Sequence, residues 1–324
     1  MGPRRLLLLL GSALLLALVP TTASAHHPSP GTDPVRVVTG LGSGMGSTIG
    51  PDGALYVASP ASGVISRVDP RTGAVTTFAS GLPTRPAGGG GVFDVAFRGR
   101  TAYALVTFVS ADVGGSAVDG IYRIDGPSAF TVVADIGAFA TANPPATDFF
   151  VPTGVQFAFE PYRDGFLVSD GHHNRIYQVR HDGTVSVRLA LANVVPTGLA
   201  LKGSTVFVAE SGPLPHLPQD GKVVAFGPRA SSATTVAAGG PLMVDVERAG
   251  GNRLYALAQG DWPLGGEAGS PAAPGTGRLY SVDHHGTLRL VADGLDQPTS
   301  FQVVHGTAWV VTLGGEVWRV GLGR

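Results

Sequence analysis

VRVVTGL, residues 35–41, closely matches LRLVADGL at 288–295, some 250 residues further on. The second copy closes a repeating unit, whereas the first precedes every unit. Between them the chain repeats itself. LYVAS, AYALV, FLVSD, VFVAE, LYALA and AWVVT centre on Tyr56, Tyr103, Leu167, Phe207, Tyr255 and Trp309. Each is followed by a second apolar run (ISRV, IYRI, IYQV, VVAF, LYSV, VWRV) and, in the first five units, by a polar turn and a third run. Each is preceded by one more run, such as FDVAF, PTGLAL or PTSFQV.

Short alternating runs bounded by Gly, Pro and Asp turns, recurring about every fifty residues, are the signature of repeated four-stranded antiparallel sheets. Such a sheet has two apolar faces and hides neither alone; packing sheets face to face around an axis buries both. The sixth unit has only three strands before the chain ends. The fourth is expected at the other terminus, in 35–41. The fold expected is therefore all-β: a six-bladed β-propeller over 35–324, its ring closed by the N-terminal strand completing the last blade.

The first residues stand apart. Arg4 and Arg5 precede an apolar run from Leu6 to Val19, and Ala23-Ser24-Ala25 forms a small-x-small cleavage site. This pattern predicts a signal peptide at 1–25, a flexible mature terminus at 26–34, and an exported, secreted protein. Removing it takes the net charge from −1 to −3, a balance that gives no footprint for nucleic acid. No later run is long enough to span a membrane. There is no cysteine, so an extracellular chain of this size must be held by burial, and a monomer is expected.

With strands a to d running from axis to rim, the b–c and d–a connections share one face. That face receives the long insertions: FVSADVGGSAVDG (108–120), SGPLPHLPQDG (211–221), QGDWPLGGEAGSPAAPGTG (259–277) and the link 136–154. Turns on the other face are minimal, EPYRDG (160–165) excepted. Long loops gathered on a rigid scaffold mark a binding face.

SDGHHNRIYQV, residues 169–179, lies on that face. Asp170 and Glu210 end b-strands, while Asp94 and Asp245 lie near the start of a-strands. A ring of four carboxylates at the channel mouth suits a hard divalent cation such as Ca²⁺. His172 and His173 are the candidates for proton transfer, and Asn174 and Arg175 for ligand contact. Trp262, in the longest insertion, is placed to stack on a sugar or aromatic ring. The competing reading is turn chemistry: a turn Asp or Asn satisfies nearby backbone amides without any ligand. G-x-S-x-G, H-E-x-x-H, phosphate-loop and paired-cysteine motifs are absent.

TGL (39–41), GPDGALYVAS (50–59), VPTGVQFAFEPYRDGFLVSDGHHNRIYQV (151–179) and VPTGLALKGSTVFVAES (195–211) carry a resemblance to the ScyD/ScyE family of exported bacterial propellers, spanning 35–324. It implies the six-bladed fold and export, with no assigned reaction. More distantly the chain is similar to NHL-repeat and SMP-30/gluconolactonase-like propellers. DGHHNRI resembles the NHL-type strand junction. The lactonases of that group hold a divalent metal with a first-blade glutamate; the corresponding stretch, GSGMGSTIGPDG (42–53), has no carboxylate before Asp52. Two functions follow as expectations. One is a module that binds a small molecule, glycan or extracellular protein through the loop-rich face. The other is a metal-assisted lactonase-like hydrolase or lyase.

Overall fold

The computed structural model describes residues 33–146 and 149–323; the expected leader, and all of the expected mature terminus except residues 33 and 34, lie outside these. Six four-stranded antiparallel sheets make up the chain. Blade 1 holds β2 (Ser47–Ile49), β3 (Leu55–Ser59), β4 (Val64–Val68) and β5 (Val75–Ala79). Blade 2 holds β6 (Gly91–Arg98), β7 (Thr101–Thr107), β8 (Gly120–Gly126) and β9 (Ala129–Asp135). Blade 3 holds β10 (Gln156–Tyr162), β11 (Gly165–Asp170), β12 (Arg175–Arg180) and β13 (Val185–Ala190). Blade 4 holds β14 (Pro196–Lys202), β15 (Thr205–Glu210), β16 (Lys222–Phe226) and β17 (Thr234–Ala238). Blade 5 holds β18 (Met243–Arg248), β19 (Leu254–Ala258), β20 (Gly277–Val282) and β21 (Leu288–Leu295). Blade 6 takes β22 (Pro298–Val304), β23 (Thr307–Thr312) and β24 (Val317–Gly321) from the end of the chain and β1 (Val35–Val38) from its start.

The split blade is therefore present as expected. Val35 pairs with Arg319, Arg36 with Trp318 and Val38 with Val317. Arg36 adds an ion pair to Glu316 at 2.9 Å and lies over the Trp318 ring. Each innermost strand packs against the innermost strands of both neighbours, β2 against β6 and β22 included, so the ring is closed.

Burial follows from strand periodicity. Alternate residues of each blade face opposite neighbours, and six apolar clusters result, one at each blade interface. Tyr56 and Ile65 of blade 1 meet Val95 and Tyr122 of blade 2. Leu257 of blade 5, wholly buried, meets Phe301 and Val310 of blade 6. Truncating such a residue leaves a cavity costing about 3 kcal/mol.

Two local expectations are corrected. EPYRDG is not a long turn: β10 runs on through Glu160 to Tyr162, and only Arg163 and Asp164 turn. Arg163 does so at φ 52. The link after β9 is not wholly irregular, because α1 (Ile136–Ala142) forms in it, capped by Asp135, whose Oδ1 accepts from Ala138 N at 2.7 Å. Ile136 and Ala140 tie the helix to the interface between blades 2 and 3. No helix among the described residues is long and apolar enough to cross a membrane.

Candidate functional site

The stretch 170–175 connects β11 to β12 on the loop-rich face. Asp170 is wholly buried. Its Oδ1 accepts from His173 N at 2.8 Å and Val155 N at 3.3 Å, and its Oδ2 from the Gln156 side chain at 2.8 Å. His173 is buried beneath it, with Nε2 2.9 Å from the Val151 carbonyl and Nδ1 3.4 Å from the Tyr177 hydroxyl. Asn174 turns the chain at φ 54, and its Oδ1 accepts from Val194 N and Val195 N at 2.8 and 2.7 Å. Arg175 holds the carbonyls of Asn143 and Pro144 in the preceding link. His172 is half-buried; its Nε2 accepts from Val151 N at 3.2 Å and Phe150 stands edge-on at 4.3 Å. Burial lowers its basicity, outweighing the pull of Asp170, and the amide contact likewise requires a neutral ring. Most of the polar atoms proposed for chemistry here thus tie the turn to its neighbours.

Asp94 and Asp245 occupy equivalent places, three blades apart. Each accepts from the next amide of its own strand (Val95 and Val246, both 2.8 Å) and from an amide of the following blade (Phe159 at 3.0 Å, Phe301 at 2.9 Å). The preceding blade must approach closely in each case. A Cβ on Gly46 would strike the Asp94 carboxylate, and one on Gly198 the Asp245 carboxylate. Glu160 and Glu247, unnoticed in sequence, face the same axial column. Glu247 Oε1 accepts from Gln302 Nε2 at 2.6 Å. Burial and mutual repulsion push these acids up: Glu160 to about 8, Asp245 to about 7 by burial alone, Asp94 and Glu247 well above the carboxylate range. Among the described residues no three His, Asp or Glu side chains stand together as a group that could hold a metal ion. The four-carboxylate ring is therefore not formed: Asp94 and Asp245 belong to the column, Asp170 and Glu210 to separate strand ends.

Glu210 differs from Asp170, its counterpart. It is 4% exposed, yet no described residue donates to its carboxylate; burial pushes it up to about 7 against the pull of Lys222. Beside blade 4, His216 Nδ1 lies 2.8 Å from the Gly212 carbonyl and its ring stands edge-on to Trp262 at 5.8 Å. Trp262 is half-buried and donates to the Ser270 carbonyl at 3.0 Å. The same loops expose large apolar side chains: Leu214 (50%), Leu264 (79%) and, in the link to blade 3, Phe150 (76%).

No protein-family model matches the sequence, and no curated protein matches it. Solved structures match in fold. A gluconolactonase from Xanthomonas campestris superposes with a TM-score of 0.61 at 11% identity, covering 89% of each chain. A virginiamycin B lyase from Staphylococcus aureus superposes at 0.56 with 11% identity, over 90% of this chain and 98% of that one. The PQQ-bound aldose sugar dehydrogenase of Streptomyces coelicolor superposes at 0.55 with 17% identity, over 91% and 99%. At these identities the likeness is one of fold, and it spans hydrolytic, eliminative and redox enzymes.

Proposed function

We propose that this chain is an exported, ScyD/ScyE-like recognition module that binds a small molecule, glycan or extracellular partner through the loops of one propeller face. One contrast carries the reading. Asp170, His173, Asn174 and Arg175 direct their polar atoms chiefly to the protein itself. Leu214, Leu264 and Phe150 meanwhile present apolar surface on the same face, with Trp262 beside them. Surface of that composition on a rigid scaffold suits binding.

One observation favours a second reading, a lactonase-like hydrolase or lyase. Glu210 is a buried acid with no donor among the described residues, and burial pushes it up to about 7. The calcium cage first expected of Asp94, Asp170, Glu210 and Asp245 does not fit their placement, so no step is routed through a metal.

The two readings separate in one set of assays. Purified protein with gluconolactone and a lactone panel, with and without Ca²⁺, is expected to show no turnover. A glycan and metabolite panel is expected to give saturable binding that Trp262→Ala and Leu264→Ser abolish. Turnover that disappears in Glu210→Gln would replace the first reading by the second.

A further inference from the structure

Two connections on the loop-rich face meet at one serine. The b–c excursion of blade 2 carries Ser110, Asp112 and Asp119, and the link into blade 3 carries Thr153. Ser110 Oγ lies 2.5 Å from Asp112 Oδ1, 2.6 Å from Asp119 Oδ2 and 3.2 Å from Thr153 Oγ1. Thr153 donates to Asp112 Oδ2 from its hydroxyl at 2.9 Å and its amide at 3.3 Å. Asp119 Oδ1 accepts from Val109 N at 2.8 Å.

A serine hydroxyl carries one proton. Two acidic oxygens this close to Oγ each need a proton in between, and Ser110 supplies only one. The other must sit on a carboxyl. Asp119 is 1% exposed, and burial pushes it upward despite the nearby Ser110 hydroxyl and the hydrogen bond from Val109. Burial acts on Asp112 too, but there the bonds from Ser110 and Thr153 outweigh it and hold the acid ionised. Proton count and environment agree: Asp119 Oδ2–H donates to Ser110 Oγ, and Ser110 Oγ–H donates to Asp112 Oδ1.

We propose that a proton held on Asp119 latches the blade 2 excursion to the link into blade 3, and that its loss releases this clasp. Without that proton, two anions face one hydroxyl and repel through it. Asp135, at the end of β9, adds a third carboxylate to the surroundings and is itself occupied in capping α1. From β8, Tyr122 gives its hydroxyl proton to the Val118 carbonyl at 2.9 Å. From the link into blade 2, Arg85 is engaged with the Val113 carbonyl at 2.8 Å. Helix α1 brings no ionisable side chain. Beside the clasp lies a cavity of about 400 Å³ lined by Ser110, Asp119, Ala138, Thr141 and Thr153, which release would open further. Since the folded acid sits above its unfolded value, the clasp is complete below about pH 4 and is lost as pH rises through the raised value.

Hydrogen–deuterium exchange at pH 4 and pH 9, corrected for intrinsic rates, tests this. Amides of 108–119 and 149–155 are expected to lose about tenfold protection at the higher pH, relative to peptides from β15 and β16. Asp119→Asn, whose amide donates to Ser110 Oγ in place of the acid, keeps protection at both. Equal protection of the wild type at both pH values overturns the proposal, as does Asp119→Asn behaving like the wild type. Should that variant not fold, ¹³C titration of the wild-type carboxyls decides: Asp119 titrating near 4 refutes the latch, and titration well above it upholds it.

Discussion

The four residues between β11 and β12 and the eighteen between β19 and β20 make the same connection, in blades 3 and 5. The short turn is bound inward by nearly all its polar side chains. Asp170 fixes its start, Asn174 its end, and His173 its underside. The long loop carries fewer such ties for its length. Arg278 pairs with Asp261 at 2.9 Å, Trp262 reaches Ser270, and Gln259 accepts from Ala272 N, while Leu264 stands in solvent. One place in the scaffold can therefore serve as a rivet or as a platform. A side chain's chemistry does not decide which; its neighbours do.

The sharpest way to break this contrast is Asp170→Ala. It strands two backbone amides and one N–H of the Gln156 side chain in a buried site, and is expected to cost about 4 kcal/mol in urea unfolding. A loss under about 1 kcal/mol would mean the turn is no rivet. Next, Asn174→Ala loses two accepted amides at a left-handed position and is expected to cost about 2 kcal/mol; Asn174→Gly, free to adopt that φ, should cost about half as much. Equal losses would show that backbone conformation contributes nothing.

A smaller effect concerns His172. Its folded basicity is depressed, so its contribution is present above the unfolded value near 6.5 and is lost as pH falls below it. Melting curves of wild type and His172→Gln are expected to run parallel above about pH 7 and to converge or cross on acidification. Curves parallel down to pH 5 would remove the histidine from the rivet. Smallest of all, Leu264→Ser should change stability by no more than about 0.5 kcal/mol. A larger loss would make the platform structural after all.

How much of this was legible depended on whether the determining contacts were local. Strand periodicity and the matched runs at 35–41 and 288–295 carried the blade count and the closure, because alternation and pairing register are written along the chain. The Asp–x–x–x–Asn–Arg spacing of 170–175 was visible too, as was its turn chemistry. Glu160 was missed because its strand was read as a turn, although Phe159 and Tyr162, buried on opposite faces, flank it. Glu247 was in view, two residues from Asp245 on the same strand face, but only closure of the ring brings it near Glu160. The meeting of Ser110, Asp119 and Thr153 had no signal, since it joins two irregular segments more than thirty residues apart.

Blade 6 has a temporal meaning as well as a spatial one. Of the described strands β1 is synthesised first, and its partner β24 is synthesised after all the others. A nascent chain can stack blades 1 to 5 in order, but β1 waits with an open edge until β24 is made. A chain cut short before β24 would therefore lose far more than that strand, leaving a horseshoe with two sticky ends in place of a finished wheel.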